Sequence, residues 1–177
     1  MEKKYIRKQI IEERKALSKE FVERASSDIC RQIKSMVGKE ASIFIYIPMD
    51  NEVQTGELFS FYEKISVPKC YKGGYMEAVT DYTDLEQTSF GTMEPTDGQP
   101  CDDIDVVIVP GVAFSREMDR IGYGAGYYDR FLSKYPNVRK IAVCFDFQLR
   151  DDFLPDNHDV KMDLIVTEKR VLEKKKI

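Results

Sequence analysis

The chain has 177 residues, with 27 Lys plus Arg against 31 Asp plus Glu, for a formal net charge of −4. With 42% hydrophobic and 33% charged residues it can bury a core, which excludes a disordered polyelectrolyte. The length fits a single domain over residues 1–177 that hides about 70% of its extended surface on folding, and the mildly acidic balance opposes nonspecific nucleic-acid binding while leaving room for a local basic pocket.

Residues 3–17 set Ile6, Ile10, Ile11 and Leu17 among charges at helical spacing. Ser18 is placed to cap a second helix, with Phe21, Val22, Ala25, Ile29, Ile33 and Met36 on one side and a stop near Gly38. Residues 41–47 (ASIFIYI) form a nearly continuous apolar run, which suits a strand covered on both faces. A further helix is predicted over 55–64, with Leu58, Phe59, Phe61 and Tyr62. Short strands are predicted at 65–70 and 75–79, around a Lys72-Gly73-Gly74 turn. The stretch 81–102 is polar, holds Gly91, Pro95, Gly98 and Pro100, and reads mostly as loop. The strongest strand is 104–109 (IDVVIV), stopped by Pro110-Gly111. After a long loop come a helix over about 126–135 and strands at 139–145 and 163–167. The basic tail, 170–177, is expected to fray. Helices alternating with apolar strands predict an α/β layered fold with a mainly parallel sheet.

Cys30, Cys70, Cys101 and Cys144 are widely spaced and form no CxxC pair, so a structural zinc site is not expected; with His158 the single histidine, neither is a His-rich metal site. Reduced thiols are the expectation. Met1-Glu2-Lys3-Lys4 leads into a charged helix, not an apolar leader, and no run approaches about 20 apolar residues. The expectation is a soluble cytoplasmic protein with no membrane or nucleic-acid partner, as a monomer with a dimer left open.

The densest signal lies at 109–132, VPGVAFSREMDRIGYGAGYYDRFL. Gly122, Gly124 and Gly126 alternate between a buried strand and an amphipathic helix. Such spacing lets a backbone turn its N–H groups toward one point, where a helix N-terminus adds partial positive charge. Arg120 can form a forked contact with phosphate oxygens, and Asp129 can hold a hard cation. The alternative is that these glycines are turn chemistry alone. The spacing matches neither GxGxxG nor GxxxxGK[ST]. For Tyr127 and Tyr128 the expectation is one ring packed inward and one facing a pocket.

The run PGVAF followed by RIGYGAGYYDRFL resembles the signature of the 5-formyltetrahydrofolate cyclo-ligase family. Three weaker matches follow in the same order. They are the opening Lys3-Lys4-Tyr5-Ile6-Arg7 with Ala16-Leu17-Ser18, the stretch 47–55 with Glu52-Val53-Gln54-Thr55, and the stretch from Pro155-Asp156-Asn157-His158-Asp159 through Met162-Asp163 to Glu168. The resemblance covers nearly the whole chain. It implies a three-layer α/β/α sandwich and an ATP-dependent, Mg²⁺-requiring ligase that converts 5-formyltetrahydrofolate to 5,10-methenyltetrahydrofolate with release of ADP and phosphate.

The resemblance further implies that Lys3 and Arg7 contact ATP phosphates. Arg120, Ile121, Gly122, Tyr123, Gly124, Ala125, Gly126, Tyr127 and Tyr128 would wrap the nucleotide, with Arg120 facing the transferring group as the catalytic cation. Residues 123–127 would also border the folate, which Ile47 and Glu52 contact, Glu52 as acceptor for the pterin's amino and ring N–H groups. Asp129 and Asp163 would hold Mg²⁺. Read without the resemblance, Lys3 and Arg7 are a solvated helix face, Glu52 a helix-terminal charge and Asp163 a structural carboxylate. Some members carry Arg or Lys at the positions of Tyr123 and Ala125, so here phosphate charge falls to Lys3, Arg7, Arg120 and backbone amides. Others carry Gly at position 125, where a positive φ would strain an alanine. His158, beside Asp159, is given no role. Two further readings remain: an isomerase or transferase of a phosphorylated metabolite on the same sandwich, and a non-catalytic nucleotide- or folate-binding module.

Overall fold

Charged and apolar residues alternate with a helical period at the start of the chain, which folds as α1 (Lys3–Lys15) with Ile6, Ile10 and Arg14 buried. In the computed structural model, which describes residues 1–89 and 91–176, α2 (Lys19–Met36) follows. The Ser18 hydroxyl accepts the Phe21 N–H at 3.1 Å, the expected cap. Next come β1 (Ser42–Ile45), buried along its length, and α3 (Gly56–Phe61). The helix is shorter than the 55–64 expected because Lys64 opens β2 (Lys64–Tyr71), pairing in parallel with Ser42 of β1. The Lys72-Gly73-Gly74 turn returns the chain as β3 (Tyr75–Thr80), antiparallel to β2.

The 81–102 stretch is mostly loop, as expected, but it is not without strands. It carries β4 (Leu85–Gln87) and β5 (Met93–Pro95), which pair as a separate antiparallel ribbon, and β6 (Gln99–Pro100), which borders β3. Strands this short show no periodicity, and Pro100 sits on the sheet edge, where a missing N–H is tolerated. Residue 90 of this stretch lies outside the described residues. The chain continues through β7 (Val106–Val109), a small ribbon of β8 (Ala113–Phe114) and β9 (Arg120–Ile121), α4 (Tyr127–Ser133), β10 (Arg139–Val143) and β11 (Leu164–Val166).

The expectation of a fraying tail needs correction. Residues Val171–Glu173 form β12, antiparallel to β11, and Arg170 pairs with Asp146 at 2.8 Å. An uncovered β11 would leave a row of backbone groups unpaired. Ile177 lies outside the described residues.

The main sheet runs β12-β11-β10-β7-β1-β2-β3-β6, parallel from β11 through β2 and antiparallel at both flanks. Alternation along the central strands builds two apolar layers. Ile43, Ile45, Val106 and Ile108 pack with Val22, Ile29 and Leu58 of α2 and α3, whereas Phe44, Val107 and Val109 pack with Phe131 and Leu132 of α4. This is the α/β/α sandwich expected. Helix α1 belongs to neither layer: Ile6 and Ile10 pack on Val112, Ala113 and Ile121 of the β8–β9 ribbon. From β1 the chain steps outward to β2, then crosses back to place β7 on the other side of β1. The carboxyl ends of β1 and β7 are therefore the switch point where open α/β sheets leave a crevice.

Candidate active site

A cleft of about 370 Å³ opens at that point, floored by Tyr46 and Ile47 after β1 and by Pro110 after β7. Residues 120–129 form one wall, α1 contributes Lys3 and Arg7, and Pro68, Cys70, Met76, Met93 and Glu94 form the side carried by β2, β3 and β5.

The glycine loop bends as its spacing predicts. Gly124 has φ 110° and Gly126, the residue before α4, has φ 74°, both left-handed conformations that a Cβ would strain. Ala125 is not among the positive-φ residues, so alanine is tolerated there. At Gly122 the constraint is space: a Cβ would lie 2.5 Å from Arg120 Nη1. Arg7 fastens the loop to α1, its Nε donating to the Gly122 carbonyl at 2.7 Å.

Arg120 is 6% exposed, with its guanidinium 5.3 Å from the centre of the Tyr128 ring. Among the described residues its Nε is a buried polar atom with no hydrogen-bond partner. Burial lowers its pKa, with Asp129, Tyr128 and Asp159 pulling the other way. A desolvated guanidinium that lacks a bound carboxylate is a receptor for an anion. Lys3 is more committed, pairing with Asp156 at 2.8 Å and Asp159 at 2.6 Å. Burial alone would lower the Lys3 pKa, but these carboxylates raise it above the ordinary value.

Across the cleft, Glu52 has both oxygens engaged: the Met49 N–H donates to Oε1 at 2.7 Å and the Tyr123 hydroxyl to Oε2 at 2.8 Å. Burial raises the Glu52 pKa; the Met49 and Tyr123 bonds and the charge of Arg14 oppose the rise without cancelling it. Arg14, itself buried, lies 5.6 Å from the centre of the Tyr123 ring. Tyr127 and Tyr128 do not divide as expected: both border the cleft and both pack against the core layer under α4.

The structure does not bring the two expected metal ligands together. Asp129 lines the cleft, with Oδ1 accepting the Val160 N–H at 3.1 Å. Asp163 precedes β11, at the end of the parallel strands opposite the cleft, where Oδ2 accepts the Lys140 N–H at 2.8 Å. Asp156, His158 and Asp159 approach within 4.8 Å of one another at the cleft mouth, but Lys3 already holds both carboxylates. Arg14 and Glu94 were missed from sequence. Arg14 had a usable signal, seven residues after Arg7 on one helix face; Glu94 had none, lying in a stretch without period.

Among the described residues no helix is long and apolar enough to cross a membrane. Fold and cleft together define a class: a doubly wound α/β enzyme with its cleft at the carboxyl ends of the central strands. The chain belongs to the 5-formyltetrahydrofolate cyclo-ligase family, whose pattern matches residues 1–168. It is accordingly a ligase of folate and one-carbon metabolism. The 5-formyltetrahydrofolate cyclo-ligase of Mycoplasma pneumoniae is 31% identical over 176 residues, covering 95% of this chain and 99% of that one. The 5,10-methenyltetrahydrofolate synthetase of Aquifex aeolicus superposes with a TM-score of 0.81 at 33% identity, over 100% of this chain and 95% of that one. The structure of the Mycoplasma pneumoniae synthetase gives 0.77 at 29% identity, over 95% and 99%.

Proposed function

We propose that this protein converts 5-formyltetrahydrofolate to 5,10-methenyltetrahydrofolate with ATP as co-substrate and Mg²⁺ as cofactor, releasing ADP and phosphate. The observation that carries this reading is the buried Arg120, whose Nε has no hydrogen-bond partner among the described residues, beside a left-handed glycine loop and in the same cleft as the Glu52–Tyr123 pair.

A formamide carbon is a poor electrophile, and N10 of the folate cannot displace its oxygen unaided. The formyl oxygen first attacks the γ-phosphorus, and the bond to the β-phosphate oxygen breaks to release ADP. N10 then attacks the activated carbon and loses its proton. The C–O bond breaks as phosphate leaves, so the formyl oxygen ends in phosphate. No protein nucleophile is required; the protein positions the reactants and stabilises charge. Arg120 meets the negative charge on the transferring group, and its burial strengthens that interaction. Lys3, Arg7 and the loop over residues 121–128 hold the remaining phosphates. Ile47, Glu52 and residues 123–127 border the folate, with Glu52 keeping the Tyr123 ring in place.

Asp129 fits a Mg²⁺ site, because one carboxylate with phosphate oxygens and waters suffices for that ion. When bound, Mg²⁺ would offset phosphate charge. Asp163 instead accepts the Lys140 N–H at the amino end of β10 and is not part of the cleft lining.

The test is to mix protein, Mg²⁺, ATP and 5-formyltetrahydrofolate and to follow the methenyl chromophore and free phosphate together. Equal molar amounts of both are expected. Turnover of a phosphorylated metabolite without nucleotide would instead mark an isomerase or transferase. Binding of both substrates without product would mark a non-catalytic module.

A further inference from the structure

Glu94 sits on β5 with 6% exposure and lines the cleft. Its Oε2 accepts the Cys70 N–H at 3.1 Å. Burial, then the carboxylate itself, raises the pKa of the adjacent Cys70 thiol, leaving a weak S–H donor beside it. Among the described residues no further N–H and no cation is bonded to Glu94. Lys69, next to Cys70 in the chain, gives its ammonium to the Pro95 and Thr96 carbonyls at 2.5 and 3.0 Å.

An ionised carboxylate has about four acceptor positions, and burying it with so few filled is costly unless a ligand completes them. Glu52 is the contrasting case in the same cleft, with an N–H on one oxygen and an O–H on the other. Open acceptor capacity on this side of the cleft therefore belongs to Glu94. Around it Pro68, Met76 and Met93 offer apolar surface suited to the faces of a flat ring.

We propose that Glu94 is a substrate-binding residue, accepting the amino and ring N–H groups of the folate's bicyclic ring on β5, while Glu52 holds Tyr123. This rests on the folate reading above and adds to it the group that recognises the ring's donor edge.

The experiment compares the native chain with Glu94→Gln, using 5-formyltetrahydrofolate and an analogue whose ring amino group is replaced by methyl. Glutamine keeps an oxygen for the Cys70 N–H but turns the other acceptor into a donor. The expected result is a KM for 5-formyltetrahydrofolate raised about ten- to a hundredfold, the scale of losing hydrogen bonds to a charged acceptor. The KM for ATP and the melting temperature hold, and the variant no longer discriminates between folate and analogue. A folate KM within about twofold of native would overturn the assignment. So would a joint rise of both KM values with a lowered melting temperature, the signature of a structural role. If the native chain forms no methenyl product, the functional reading fails and takes this assignment with it; if it does and Glu94→Gln behaves as native, the assignment alone fails.

Discussion

The Arg120 side chain is buried while its Nε stays unbonded among the described residues, an arrangement that costs free energy in the absence of an anion. Arg120→Ala should therefore leave the fold intact and lower the single-turnover rate by about 10²–10³. Folate binding measured by calorimetry should change little. An unchanged single-turnover rate would remove Arg120 from the chemistry. Glu52 carries the opposite strain. Its folded pKa is raised, chiefly by burial, so the fold favours its protonated form. For a raised pKa, the associated stability is full below the unfolded value and is lost as pH rises through the folded value. Above the folded value the ionised Glu52 is therefore a net cost to stability. Glu52→Gln should raise the melting temperature there by about 2–4 °C, an increment that shrinks as pH falls through the folded value. Thermal melts across a pH series check the sign; a melting temperature lowered on the alkaline side of that transition would refute it.

Among the elements, the glycine loop and α1 act as one unit, because Arg7 joins the Gly122 carbonyl and Lys3 ties α1 to Asp156 and Asp159. Gly124→Ala would force a Cβ into φ 110°, at a cost of about 1–3 kcal/mol or a reshaped loop. The expected outcome is a several-fold rise in the ATP KM together with lower stability in urea. Wild-type values for both would show the loop tolerates a side chain. Much of this level was legible in the sequence. Ser18 and the apolar stripe of α2 mark that helix by local rules, as do the alternating glycines for their loop. Strands β4, β5 and β12 were not legible, since three residues carry no period and their pairing depends on partners elsewhere. That is why Glu94 escaped notice and the tail was expected to fray.

At the scale of the molecule, β12 closes the sheet edge farthest from β6 and lies just beyond residues 1–168 that carry the family pattern. Removing residues 169–177 should lower the melting temperature and promote aggregation through the exposed β11 edge. Both KM values should hold, because no cleft residue comes from this strand. Loss of substrate affinity in the truncated chain would contradict that separation. The sequence by itself determined the α/β class with a mainly parallel sheet and the family, because hydrophobic period, caps and glycine spacing are encoded within short windows. Only the tertiary structure decided that Asp163 lies at the amino end of the parallel strands, away from the cleft that Asp129 lines, that Glu52 has both oxygens occupied and that Glu94, among the described residues, accepts one N–H, from Cys70. The reason is physical: a side chain's free hydrogen-bonding capacity depends on which distant backbone groups the sheet order brings to it, and no local window contains that order.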